Sequence, residues 1–167
     1  LCGTFTMNGG IIAGGKRSGI YIDSGKTHPL ADVRYGHFVM NGGTIAGNAN
    51  IGVYAPRTYT GHEGDIGFFM NGGNILNNRS SYTGGGVNGA IEMYGGLIAY
   101  NQAEAYGGGI FSIADIEIYG GSISHNSAER GGGIYADGGS VTLKKDGVVS
   151  NNSAQQGGGI FGEGVST

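Results

Sequence analysis

Short apolar–polar alternations, cut by Gly-Gly pairs and by Asn, run along the whole chain. Phe5-Thr-Met-Asn-Gly-Gly10 recurs as Phe38-Val-Met-Asn-Gly-Gly43 and Phe68-Phe-Met-Asn-Gly-Gly73, then drifts to Ile91-Glu-Met-Tyr-Gly-Gly96 and Ile116-Glu-Ile-Tyr-Gly-Gly121. A sixth copy, Val141-Thr-Leu-Lys-Lys-Asp-Gly147, carries one inserted residue. With Met7, Met40, Met70, Met93, Ile118 and Leu143 as phase markers, the period settles near about 25 residues after two longer copies, which is the signature of stacked repeats. A second alternation centres on Ile12, Ile45, Ile75, Ile98, Ile123 and Val149, and a third on Ile20, Val53, Val87, Ile110, Ile134 and Ile160. Alternation of period two predicts strands of about three to five residues. A helical period appears nowhere over a useful length, so almost no helix is expected.

Three short strands per repeat predict an all-β fold, a right-handed single-stranded parallel β-helix of about six coils. The same strand of successive coils then pairs in parallel, about 4.8 Å apart. The whole of 1–167 reads as one solenoid domain, a piece of a longer one that starts here at Leu1. Phe, Met, Ile and Val of one coil are expected to stack on their equivalents in the next, because no coil can bury them alone. Glycine supplies 39 of the 167 residues, and corners with positive φ or tight turns account for most of it. Asn48, Asn78, Asn101, Asn126 and Asn152 each follow the second-strand Ile or Val by three residues and read as a hydrogen-bonded ladder. Asn78-Arg-Ser80 and Asn151-Asn-Ser153 match the glycosylation sequon, which at a ladder position reads as chance.

Composition narrows the classes. Nine Lys and Arg, scattered along the chain, make no basic stripe and argue against a nucleic-acid partner. No apolar run approaches the roughly 18 residues of a membrane span, so no membrane insertion is expected. The one cysteine, Cys2, excludes an internal disulfide framework. No cofactor or metal is assigned.

The block Ile-x-x-Asn, small residues, then Gly-Gly-Gly-Ile/Val appears four times, from Ile75-Leu-Asn-Asn78 with Gly84-Gly-Gly-Val87 to Val149-Ser-Asn-Asn152 with Gly157-Gly-Gly-Ile160. It resembles the polymorphic outer-membrane protein repeat of chlamydial adhesins, with Ile or Val in place of Phe and Gly in place of Ala. It is also similar to repeats of large surface proteins from gut Firmicutes and adhesin-like proteins of methanogens. The resemblance implies a secreted, cell-surface protein acting in adhesion. It carries no binding residue, because the motif is scaffold.

Three constellations could carry chemistry. Glu92 and Glu117 hold the same outward position in adjacent coils, with Asp115 two residues earlier. Two carboxylates about 5 Å apart match a retaining glycosidase; three could hold Ca²⁺; a solvated strand face is the plainer alternative. The insertions 22–37 and 55–67 both follow a third strand and should project from one corner. They hold Asp32, Arg34, Tyr35, His37, Arg57, Tyr59, His62 and Glu63, a set suited to a ligand surface or to mere decoration. Tyr21, Tyr54, Phe111, Tyr135 and Phe161 follow the inward third-strand residue and should face outward, with Tyr94 and Tyr119 doing the same beside the first strand. Cross-coil stacking or a platform for sugar rings would both use them.

The expected function is a non-enzymatic adhesin or stalk segment whose two loops bind glycan or a host or partner protein. A polysaccharide-active hydrolase or lyase using Glu92, Asp115 and Glu117 is the alternative, and a pure spacer is a second. Open strand edges on such coils also favour end-to-end self-association.

Overall fold

The computed structural model describes residues 4–22, 37–56 and 67–164. These residues form strands and turns and no helix, and every strand pair is parallel. The first-strand ladder is β1 (Thr4–Met7), β4 (His37–Met40), β7 (Phe68–Met70), β11 (Ile91–Met93), β15 (Ile116–Ser124) and β17 (Val141–Ser150). The second is β2 (Ile11–Ala13), β5 (Thr44–Ala46), β8 (Asn74–Leu76) and β12 (Leu97–Ala99), continued by the later halves of β15 and β17. The third is β3 (Ile20–Tyr21), β6 (Val53–Ala55), β10 (Val87–Gly89), β14 (Ile110–Ser112), β16 (Ile134–Asp137) and β18 (Ile160–Glu163). The fold is the expected parallel β-solenoid.

Three details depart from the sequence reading. Residues 67–164 wind without a break through about four turns rather than six. Two earlier levels of strand stack in register beneath them, but the segments that would close those levels, 23–36 and 57–66, lie outside the described residues. Strands β15 and β17 are nine and ten residues long, because Gly120 pairs with Asp146 and Gly121 with Gly147, so the ladder runs on through the corner. The inserted residue of the sixth repeat is a β-bulge there: the register shifts between Ile118 and Gly120, and Lys144 and Lys145 together oppose Tyr119. Finally, each of two turns has an extra strand, β9 (Arg79–Ser80) and β13 (Gln102–Ala103), which pair with each other.

The core is the stack that the repeat predicts. Phe38, Phe68, Ile91 and Ile116 form one column, Met40, Met70, Met93 and Ile118 another, and Ile45, Ile75, Ile98 and Ile123 a third; all are fully buried. The rings of Phe38 and Phe68 stack 5.0 Å apart at 10°. Burying each such side chain contributes about 1.5–3 kcal/mol, and stacking on both sides extends that gain from turn to turn. The Asn ladder holds the adjoining corner. Nδ2 of Asn78 donates to Oδ1 of Asn101 at 3.0 Å, and Asn101 does the same to Asn126 at 3.1 Å. Asn101 Nδ2 also donates back to the Ile75 carbonyl at 2.9 Å.

The glycine triplets serve two purposes rather than one. Gly107 has φ of 64°, a left-handed corner where side chains are disfavoured. Gly109 needs space instead: a Cβ there would lie 2.5 Å from the carbonyl oxygen of Gly133 in the next turn. That close approach lets the turns pack with a backbone spacing that no side chain separates.

Candidate functional site

The strands that carry the two loops are in register. Ile20 pairs with Val53 and Tyr21 with Tyr54 before the loops, and Phe38 pairs with Phe68 after them. Of the predicted loop residues, Asp32, Arg34, Tyr35, Arg57, Tyr59, His62 and Glu63 lie outside the described residues. His37 belongs to β4 rather than to the loop; it pairs with Thr4, and its ring sits 6.1 Å from Phe69.

The structure brings Glu92 and Glu117 together as register partners on β11 and β15. Each carboxylate accepts a phenol hydrogen bond, from Tyr94 at 2.7 Å and from Tyr119 at 2.5 Å. The two phenol rings stack 4.7 Å apart at 3°. The hydrogen bond to Glu92, helped by burial and nearby carboxylate charge, pushes Tyr94 up to about 12. Tyr119 is raised by the same kind of bond to Glu117. At neutral pH both phenols of this row are therefore protonated and donate to Glu92 and Glu117. Asp115 serves the following corner: its Oδ1 accepts from the Ser140 amide at 2.9 Å and the Ser140 hydroxyl at 2.8 Å.

The outward aromatics stack between turns. Tyr21 meets Tyr54 at 4.9 Å, and Tyr135 meets Phe111 at 5.6 Å and Phe161 at 5.3 Å. Asn88 breaks the row and donates to the Thr83 hydroxyl. Tyr135 faces away from the core yet is only 4% exposed, since Tyr106 covers it at 4.7 Å. Its hydroxyl donates to Glu163; burial first, then this bond, raises it to about 12. Arg130 lies over both Tyr106 and Phe161, about 6 Å from each centroid.

A further feature went unseen in the sequence. One corner position is left-handed in every turn: Gly14, Gly47, Asn77, Tyr100, His125 and Asn151, with φ between 55° and 71°. Gly is free there and Asn tolerates it, whereas a bulky side chain costs about 1–2 kcal/mol. Tyr100 and His125 nevertheless occupy it, exposed, with their rings stacked 5.0 Å apart. Two residues further on opens a groove of about 340 Å³, lined by Gln102, Glu104, Ser127, Glu129 and Gln155, with Ala103 and Ala128 between them. The small residues after each ladder Asn were the available signal.

No family model, no curated protein and no solved structure matches this chain.

Proposed function

We propose that the chain is a non-enzymatic segment of a secreted microbial surface protein, an adhesin or stalk of the kind its repeats resemble. Its rigid solenoid presents loops 22–37 and 55–67 to a glycan or protein on a partner surface. One observation carries this reading: the strands before and after the two loops pair in register, Tyr21 with Tyr54 and Phe38 with Phe68, so both loops leave and re-enter at the same corner of neighbouring turns. A rigid frame that fixes four loop ends side by side favours a composite recognition surface.

The test is adherence of the purified chain to mucin-coated and protein-coated surfaces, with each mixture assayed for new sugar ends. Binding without cleavage is expected, lost on Arg57→Ala with Tyr59→Ala and kept on Glu92→Gln with Glu117→Gln. Cleavage that disappears with the two glutamines would replace this reading with a polysaccharide-active enzyme. Failure to adhere to any surface would leave a spacer.

A further inference from the structure

We propose that Tyr94 and Tyr119 form an oxidative modification site, at which a haem peroxidase using hydrogen peroxide joins the two rings as dityrosine and staples neighbouring turns together. The site lies on the first-strand ladder and does not depend on the two loops.

Four tyrosine pairs touch between turns among the described residues, and they differ in what coupling needs. Tyr94 and Tyr119 lie 4.7 Å apart and within 3° of parallel, so each ortho carbon faces its counterpart. Tyr82 meets Tyr106 edge-on at 74°. Tyr106 meets Tyr135 at 43°, and Tyr135 is closed to an outside oxidant. Tyr21 and Tyr54 stack at 4.9 Å and 15°, but among the described residues no carboxylate accepts from either phenol. Only Tyr94 and Tyr119 combine a parallel stack with a proton acceptor on each ring, Glu92 and Glu117. Exposure gives the second argument. Tyr94 leaves 49% of its surface open. The chain has no Trp, and its four Met side chains stand in the buried column. Oxidation follows access, so tyrosine meets the oxidant before the sulfurs of the core.

The chemistry balances. Each phenol passes one electron to the peroxidase and its proton to the carboxylate that it already bonds. Both phenols hold that proton firmly at rest, so an acceptor in place as the electron leaves is what the step requires. Two tyrosyl radicals then stand side by side in register. Their ortho carbons form one C–C bond, and the hydrogen on each of those carbons moves to the ring oxygen, restoring two phenols. The two electrons and two protons removed reduce hydrogen peroxide. The sum is two tyrosines and one hydrogen peroxide giving one dityrosine and two waters.

The experiment treats the whole chain, as Cys2→Ser to keep thiol chemistry out, with a haem peroxidase and stoichiometric hydrogen peroxide. Dityrosine fluorescence and the masses of proteolytic peptides are read. The expected product is a monomer two hydrogens lighter, with the Tyr94 and Tyr119 peptides joined. Tyr119→Phe should abolish that link. Glu92→Gln with Glu117→Gln keeps the ring stack and should slow the link at least about tenfold, the low end of what a positioned proton acceptor supplies being about a hundredfold. The proposal is overturned if no dityrosine forms, if Tyr21 and Tyr54 are joined in preference, or if the product is chiefly a dimer linked between molecules. These three outcomes are read on a chain with every tyrosine and glutamate in place. It is equally overturned if the glutamine variant, with unchanged circular dichroism, links as fast as its parent.

Discussion

Tyr94 and Tyr119 each give a phenol hydrogen to the carboxylate two residues back on the same strand, Glu92 or Glu117. Side chains two apart on a strand share a face, so the bond is local, and stacking of the rings then couples one turn to the next. The bond has a pH signature. Tyr94 is held near 12 against an ordinary value of 10.0. Below pH 10 its phenol is protonated in both folded and unfolded chains, and the stabilisation is complete. Above it the unfolded chain ionises first, so stability falls as pH rises from about 10 to about 12. Tyr135, also raised to about 12, loses its stabilising contribution over the same window. The urea midpoint should therefore drop across this range in the parent, and Tyr94→Phe should flatten part of the drop while keeping the ring stack. Equal slopes in parent and variant would show that the Glu92 bond does not set the phenol's proton affinity.

Among the elements, the corners divide into two kinds of asparagine ladder. Asn78, Asn101 and Asn126 are each only 1% exposed, and Asn101 links three turns through its amide and backbone. Asn101→Ala strips partners from the buried Asn78 amide and the Ile75 carbonyl, and should cost at least about 2 kcal/mol. Asn8, Asn41 and Asn71 form a parallel but exposed ladder with bonds of 2.7 and 2.8 Å. Water can replace those bonds, so Asn71→Ala should stay within about 0.5 kcal/mol. Chemical denaturation of the two variants separates the cases; equal losses would mean that burial does not set the strength of a ladder.

The buried ladder and the apolar columns were legible because Asn and Ile return at a fixed phase. The exposed ladder was equally legible in Met-Asn-Gly-Gly, but it sat among glycines that drew the corner reading to themselves. The cover of Tyr106 over Tyr135 was not legible, and the small Ala103 and Ala128 after the ladder Asn signalled a gap without giving its shape. Both depend on how far successive turns stand off from one another, and alternation within a strand carries no such information. The left-handed backbone at Tyr100 was readable only by aligning six copies and noticing Gly or Asn in four of them.

At the scale of the molecule, each turn touches only its neighbours, so stability is close to a sum over turns and their interfaces. The register makes this testable. Ser112 of β14 pairs with Ala136 of β16, so deleting 113–136 joins Ser112 to Asp137 at the point where one turn would naturally hand over to the next. Ile110 would then pair directly with Ile160 and Ile91 with Val141, apolar against apolar at each site. The shortened chain should keep the circular dichroism of a β-sheet protein and melt cooperatively, at a lower temperature because one interface is gone. Deleting only 113–124 should instead fail to fold, since it removes all of β15, which serves both the first and the second ladder of the turn, and takes from the Asn152 amide its acceptor, the Ile123 carbonyl. If the half-turn deletion folds as well as the whole-turn deletion, the stacked register is not what specifies this solenoid. If neither folds, the turns are coupled beyond nearest neighbours, and the additive account of the molecule gives way to a single cooperative unit.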